Sequence, residues 1–184
     1  MISEEYKKIY TEIHAKTKFG KRSKIPDMLG GFIESIKPNS MIDFGCGKGN
    51  LVLKLKEIYP KKDIAGFDPA NPEFDIPLKH VDLILSTDVL EHIEPNLIDE
   101  TLKEIANNCT HTYHLISCAP AKLILPDGRN AHLIQETPDW WRKKFLDLGF
   151  KIYNEHYVEF EKFSKQLNRK LSVKNYYIMG SKST

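Results

Sequence analysis

The sequence predicts an α/β fold in which a mostly parallel sheet carries helices on both faces. Three observations support this prediction: strand-like apolar runs alternate with helical patterns, a glycine-rich turn follows the first such strand, and polar residues follow the ends of several strands. Alternation at this spacing favours parallel strands joined by right-handed helical crossovers. Ligands of such sheets bind outside the carboxyl ends of the strands.

Length and composition predict one cytoplasmic domain over residues 1–184, with N-terminal helices in 1–37 and the α/β core in 38–184. The three cysteines, Cys46, Cys109 and Cys118, show no paired spacing, which favours reduced thiols. No apolar stretch is long enough to span a bilayer, so we expect no membrane association. A formal net charge of +2 is too small to indicate nucleic acid. The oligomeric state stays open.

In the first half of the chain, apolar periodicity predicts three helices and three short strands. The first helix carries Tyr6 and Tyr10 on its apolar face and is expected to lie over a ligand pocket. The helices are predicted over residues 3–15, 26–36 and 51–58, the strands over 41–43, 64–67 and 81–86, and a proline-rich loop over 70–79.

The second half is predicted to close the sheet with an antiparallel strand pair. Pro95 begins a helix that reaches Asn108, and Thr137 caps another that ends before Gly149. Strands are predicted over residues 112–118, 150–160 and 172–181, a long loop over 119–135, and a polar connector over 161–170.

The segment from Met41 to Asn50 is the most informative stretch, because glycine occupies every second position at Gly45, Gly47 and Gly49. A Walker-type phosphate loop would need Ser or Thr where Gly49 stands. The dinucleotide fingerprint G-x-G-x-x-G would need glycine at Asn50. What remains is D-x-G-x-G-x-G, a nucleotide-type turn led by Asp43.

With these motifs, the stretch from Ser40 to Gly149 resembles the class I, Rossmann-like methyltransferases that depend on S-adenosylmethionine (SAM). The resemblance implies a doubly wound sheet, SAM as methyl donor and S-adenosylhomocysteine (SAH) as product. The segments 67–70, 125–132 and 138–141 further resemble small phage and bacterial methyltransferase-domain proteins. Cofactor-binding residues implied by the resemblance lie in three segments: Asp43, Gly45, Cys46, Gly47 and Gly49; Asp68 and Pro69; and Asp88, Val89 and His92.

The chemistry of SAM suits these residue types. Backbone N–H groups of the glycine loop can bind its carboxylate, and nearby acids favour its cationic end. The resemblance assigns the ribose hydroxyls to Asp68 and the adenine to Asp88 or Val89. The family's third strand is short here, so Phe74 or Asp75 is expected to replace its adenine contact. Cys46 is expected to be a small loop residue and no nucleophile.

His132 is our candidate for the catalytic base, because acceptor sites of related enzymes lie in the loop that contains it. Arg129 and Asn130 are expected to hold a polar or anionic acceptor beside it. These residues favour a small polar molecule or a sugar, methylated at oxygen or nitrogen. No metal is expected: His111 and His114 face opposite sides of a strand, and no other spacing indicates a metal site.

Two alternatives stay open. An RNA or DNA methyltransferase could use the basic runs Lys16 to Lys24 and Lys162 to Lys174, although these are more often solvated loops. Metal-dependent RNA methylases carry further His and Glu ligands after their fourth strand, and we expect these ligands to be missing here. The second alternative is a non-catalytic SAM-binding or partner module.

Glu91 and His92 either cap a strand end or line the pocket, and Trp140 and Trp141 are expected to pack.

Overall fold

A computed structural model describes residues 2–17, 24–164 and 168–182. Its described residues form five α-helices and one six-stranded sheet. The helices are α1 (Glu4–Lys16), α2 (Asp27–Ile36), α3 (Asn50–Ile58), α4 (Ile98–Asn107) and α5 (Pro138–Asp147). The strands are β1 (Ser40–Phe44), β2 (Asp63–Phe67), β3 (Val81–Thr87), β4 (Cys109–Ser117), β5 (Phe150–Ser164) and β6 (Arg169–Lys182), and a 3₁₀ turn spans Leu90–His92.

The strand order is β2-β1-β3-β4-β6-β5, with the first four strands parallel and the last two antiparallel. The prediction of a mostly parallel, doubly wound sheet with an antiparallel C-terminal pair is therefore confirmed. The chain moves outward from β1 to β2 and then returns to β3 on the other side of β1. This reversal makes the β1–β3 boundary a topological switch point, where open α/β sheets bind ligands.

The helices cover both faces of the sheet. One apolar core contains α2 and α3 side chains against Met41, Leu83 and Leu85, and a second contains α4 and α5 side chains against Ile42 and Ile84. Successive strand residues enter opposite cores because side chains alternate across a strand. Burial on both faces explains why β1 and β3 are nearly continuous apolar runs.

Four predicted boundaries were wrong by three residues or more. Helix α4 begins at Ile98, because Pro95 lies in a turn that is closed by a hydrogen bond from Leu97 N to Glu94 O (2.8 Å). Strand β4 begins at Cys109, before the predicted start. The predicted connector over 161–170 is largely strand: β5 and β6 pair from Phe150–Lys182 out to Ser164–Arg169. Residues 18–23 of the first basic run and 165–167 lie outside the described residues.

Helix α1 packs across the loops that follow β2 and β3. The Ser3 side chain caps the helix, accepting a hydrogen bond from Tyr6 N, and also donates to Glu94 (2.8 Å). Thr11 donates to the Ala70 carbonyl (2.9 Å). Among the described residues, no helix has the length and apolar character needed to cross a bilayer.

Candidate functional site

The glycine loop between β1 and α3 folds against the end of β2 and the segment after β3. Gly45 has φ +73°, and its N–H donates to the Phe67 carbonyl at 2.7 Å. A Cβ atom at Gly45 would lie only 2.3 Å from Cγ1 of Val89. Glycine is therefore required both for the left-handed backbone and for the close approach of Val89.

Asp68 lies at the carboxyl end of β2 and is buried. Its two carboxylate oxygens accept hydrogen bonds from the N–H groups of Gly47 (2.8 Å) and Ala70 (2.9 Å). Burial raises the pKa of Asp68, and His14 opposes that shift. Each oxygen has a second lone pair, so the carboxylate can also accept hydroxyl donors.

The other residues predicted at the glycine loop occupy defined positions around it. Asp43 is buried near the end of β1, and Pro69 is half-buried beside Asp68. Burial raises the pKa of the Cys46 thiol, which fits a packing role. Phe74 fills the space beside Gly49, where a Cβ would lie 2.5 Å from Cζ of the ring.

The amides of the glycine loop are largely engaged inside the protein. The N–H groups of Gly45 and Cys46 donate to the Phe67 carbonyl, that of Gly47 to Asp68, and that of Gly49 to the Cys46 carbonyl. These four groups therefore fix the shape of the loop. The sequence-based prediction that they bind a carboxylate gains no support from this geometry.

The segment after β3 places two acidic side chains at the switch point. Asp88 is exposed and has φ +65°, an uncommon conformation for a residue other than glycine. Glu91 is fully buried, and its Oε1 accepts a hydrogen bond from Ser117 N at 2.7 Å. Its Oε2 is also buried and receives no hydrogen bond from a donor in the described part of the chain. Burial and the nearby Asp88 raise the pKa of the Glu91 carboxyl.

Two histidines from distant parts of the sequence meet beside these acids. The rings of His92 and His132 lie edge to face, with centroids 4.6 Å apart. His92 Nδ1 lies 2.7 Å from the Ala131 carbonyl and 2.9 Å from the Tyr10 hydroxyl. His132 Nδ1 lies against the Ala119 carbonyl. Burial and His132 together lower the pKa of His92 to about 4.

Asp88, Glu91, His92 and His132 form one cluster: each offers an atom of a type that binds metals, and these atoms all lie within 4.8 Å of one another. Sequence spacing predicted no metal site and predicted that the His and Glu ligands of metal-dependent RNA methylases are missing, yet the structure brings such side chains together after β3. Sequence spacing missed the cluster because His132 comes from a separate loop. The sequence signals were the segment from Asp88 to His92, interpreted as part of the cofactor pocket, and His132, interpreted separately as a base.

The two residues expected to bind the acceptor serve the loop itself. Arg129 pairs with Asp127 (2.6 Å) and stacks over the Tyr6 ring, with its Cζ atom 5.6 Å from the centroid. The Asn130 amide bonds Ala121 through both its oxygen and its nitrogen (2.9 and 3.0 Å). These bonds hold the loop in shape, so the predicted acceptor-binding role of both residues gains no support.

The remaining aromatic and histidine predictions concern packing. Trp141 is fully buried in the core between α4, α5 and the sheet, as expected. Trp140 is partly buried, and its ring lies under the Lys144 ammonium. His114 is buried beside Ser86, whereas His111 contacts Tyr153 and Phe32 on the other face.

Comparison with known proteins gives two kinds of result. The sequence model of a family described as "Methyltransferase domain" matches residues 19–165. No curated protein matches the sequence.

Among solved structures, TehB from Haemophilus influenzae superposes with a TM-score of 0.66 at 16% identity, covering 94% of this chain and 67% of that chain. A SAM-dependent methyltransferase from Archaeoglobus fulgidus superposes with a TM-score of 0.56 at 18% identity, covering 84% of this chain and 91% of that chain. The N-terminal domain of EvdMO1, solved in the presence of SAH and D-fucose, superposes with a TM-score of 0.57 at 15% identity, covering 85% of this chain and 82% of that chain. At these identities the likeness concerns the fold.

Proposed function

Because this chain belongs to the methyltransferase-domain family, we propose that it transfers the methyl group of SAM to an oxygen or nitrogen atom of a small polar or sugar-type acceptor. The observation that carries this proposal is the convergence of three strand ends at the switch point. The glycine loop follows β1, Asp68 follows β2, and Asp88 follows β3. Val89 packs directly against Gly45, so the first and third of these segments share one wall.

Each segment suits a different part of SAM. The three glycines with left-handed φ let the loop turn tightly at the switch point, with Val89 and Phe74 packed against Gly45 and Gly49 where side chains would otherwise lie. The Asp68 carboxylate retains lone pairs for ribose hydroxyls. The negative charges of Asp68 and Asp88 favour a ligand that carries a sulfonium and an ammonium group. SAH is then the product.

For methyl transfer, the protein must align the acceptor with the methyl group and remove the acceptor's proton. Alignment of two reactants contributes ~7–11 kcal/mol, and a positioned base ~10²–10⁴-fold in rate. His132 belongs to the loop after β4 yet touches His92 at the end of β3. We therefore keep His132 as the candidate for the group that handles the acceptor proton.

A small acceptor agrees better than a nucleic acid with the charges of the described residues. Lys170 and Lys174 of the second basic run lie in β6, where they pair with Glu161 (2.8 Å) and Glu159 (3.1 Å) of β5. A phosphate backbone would have to compete with these glutamates. The EvdMO1 domain was solved in the presence of D-fucose, so a neighbour in fold has been studied with a sugar.

The test separates cofactor binding from turnover. Calorimetry with SAM and SAH measures binding, and SAH release is then followed with panels of sugars, amino sugars, small hydroxylated molecules and short RNA and DNA. RNA belongs in the panel because Glu91, His92 and His132 do converge, which removes one argument against metal-dependent RNA methylation. We expect SAM binding and SAH release with a small acceptor. Turnover of oligonucleotides alone would contradict the proposed acceptor class.

The role of His132 is tested by His132→Gln, which keeps a polar side chain but cannot accept a proton. The expected result is unchanged SAM affinity with a turnover lower by ~10²–10⁴-fold. His80→Gln is the matched control, because His80 is exposed and precedes β3 at the opposite end of that strand. If SAM binds but none of the acceptors is turned over by the wild type, the non-catalytic binding module becomes the better interpretation.

A further inference from the structure

The cluster of Asp88, Glu91, His92 and His132 holds more ligating groups than proton transfer requires. One base is sufficient to deprotonate an acceptor, yet two carboxylates and two imidazoles converge within 4.8 Å. Three of the four side chains are buried. We infer that these four residues bind one divalent cation of the transition-metal class, such as Mn²⁺, Zn²⁺ or Co²⁺, beside the cofactor pocket.

The tautomers of both histidines favour this inference. A backbone carbonyl only accepts hydrogen bonds, so the Ala131 carbonyl requires a proton on Nδ1 of His92, and the Ala119 carbonyl requires one on Nδ1 of His132. A neutral imidazole that is protonated at Nδ1 has its lone pair on Nε2. Histidine ligands of metals are oriented in this way in proteins, with the second nitrogen bound to a carbonyl or carboxylate.

The two carboxylates complete the set. Glu91 is anchored by the bond from Ser117 N to Oε1, which leaves its buried Oε2 on the side of the cluster. Burial of an ionised carboxylate oxygen without a hydrogen-bond donor is costly unless a proton or a cation compensates its charge. Asp88 adds the second carboxylate from a left-handed backbone position, and its N–H is fixed by the Leu115 carbonyl at 2.8 Å.

The backbone around the ligands is held firmly enough to keep the site in shape. The Glu91 carbonyl accepts a hydrogen bond from Ile134 N at 3.0 Å, which ties the loop of His132 to the 3₁₀ turn. The Tyr6 hydroxyl donates to the His92 carbonyl at 2.8 Å, and the Tyr10 hydroxyl contacts the ring of the same residue. Mixed imidazole and carboxylate ligands suit Zn²⁺, Mn²⁺ and Co²⁺ better than Ca²⁺ or Mg²⁺.

The exposed side of the cluster is where an acceptor would reach the cation, since Asp88 is the one exposed ligand. This step rests on the proposed methyl transfer. A hydroxyl bound to the cation loses its proton to water more readily, because the metal stabilises the alkoxide. The oxygen then forms a bond to the methyl carbon, the C–S bond breaks, and its electron pair neutralises the sulfonium to give SAH. With the cation bound, His132 would be one of its ligands. The cation would then activate the acceptor in place of the His132 imidazole.

Cation binding can be measured without SAM or an acceptor. Protein freed of metals by chelation and dialysis is titrated with Mn²⁺ by calorimetry and electron paramagnetic resonance. The expected result is one Mn²⁺ per chain, with spin-echo modulation from two histidine nitrogens. Glu91→Gln and His132→Gln are expected to weaken Mn²⁺ binding at least ~10-fold, while His80→Gln binds like the wild type. Circular dichroism of each metal-free variant verifies that it is folded.

Several outcomes would overturn the inference: no Mn²⁺, Zn²⁺ or Co²⁺ binding to the folded wild type, equal binding by Glu91→Gln and His132→Gln, or no nitrogen modulation. The proposed methyl transfer is judged separately, by SAM binding and SAH release. If Mn²⁺ binds but SAM does not, the metal site stands and the proposed function fails. If SAM turnover is the same with and without a chelator, the assigned role of the cation in transfer is overturned.

Discussion

Replacing Gly45 by alanine tests whether the glycine loop must contact the segment after β3. At φ +73°, an L-residue costs ~1–2 kcal/mol. The new methyl group would also lie 2.3 and 2.7 Å from the two Cγ atoms of Val89, and overpacking of this kind costs ~1–3 kcal/mol. We therefore expect Gly45→Ala to lower the free energy of unfolding by ~2–5 kcal/mol and to weaken SAM binding.

Substitutions at two other glycines separate the backbone cost from the steric cost. Gly149 has φ +82° with open space around its Cα, so Gly149→Ala should show the backbone cost alone. Gly31 lies in α2, also with open space, and Gly31→Ala should stabilise the protein by ~0.5–1 kcal/mol. Urea unfolding of the three variants gives the free energies, and calorimetry gives the SAM affinity of each folded variant.

A double-mutant cycle isolates the steric part. Val89→Ala removes both Cγ atoms and with them the clash. Its effect on the free energy of unfolding should therefore be ~1–3 kcal/mol more favourable in the Gly45→Ala background than in the wild type. The reasoning is refuted if Gly45→Ala and Gly149→Ala lose the same stability and Val89→Ala shows no coupling. Wild-type SAM affinity in Gly45→Ala would separately refute a role of this contact in the cofactor site.

Three further predictions follow from single hydrogen-bonded groups. Burial depresses the pKa of His114 to about 3, so below about pH 6.5 the unfolded chain binds a proton that the folded protein does not. The free energy of unfolding of the wild type should therefore fall more steeply between pH 6 and 4.5 than that of His114→Gln, by at most ~1.4 kcal/mol per pH unit. The same pH dependence of the unfolding free energy in both proteins would contradict this. Asp68→Asn should weaken SAM binding ~10- to 100-fold in calorimetry, whereas the exposed control Asp127→Asn should not; equal affinities would remove Asp68 from the site. Tyr6→Phe, which deletes a buried bond to a carbonyl, should cost ~0.5–1.5 kcal/mol in urea unfolding, and a cost no larger than that of Tyr153→Phe at an exposed hydroxyl would show that the bond contributes nothing.

The buried strands and the antiparallel C-terminal pair could be predicted from the sequence, whereas the outer end of that pair, residues 161–164 and 169–171, could not. Strands β1 and β3 lie between two cores, so their residues are apolar on both faces and the pattern is unambiguous. The outer part of β5 and β6 has solvent on both sides, and polar residues dominate it. Its pairing is supported by cross-strand ion pairs such as Glu161–Lys170, which sequence periodicity does not reveal.

The candidate site shows the same division. Asp68 and the glycines follow consecutive strands, so the sequence predicted that they lie together, and Asp68 does accept a hydrogen bond from Gly47 N. Glu91 and His132 are joined only through tertiary contacts. The Glu91 side chain accepts a hydrogen bond from Ser117 N at the end of β4, and its carbonyl accepts one from Ile134 N in the loop that carries His132. Sequence patterns therefore suggested two separate roles where the structure has one cluster.

The short turn after β3 connects the two halves of the proposed reaction. Val89 at its start packs on Gly45 of the cofactor loop, and Glu91 and His92 at its end bind the backbone of the loop that carries His132. The proposed donor and acceptor sites thus share one turn, which is closed by 3₁₀ hydrogen bonds. Since alignment is worth ~7–11 kcal/mol in reactions of this kind, this shared turn gives a physical reason for the acceptor loop to be tied to β3 by side-chain and backbone bonds.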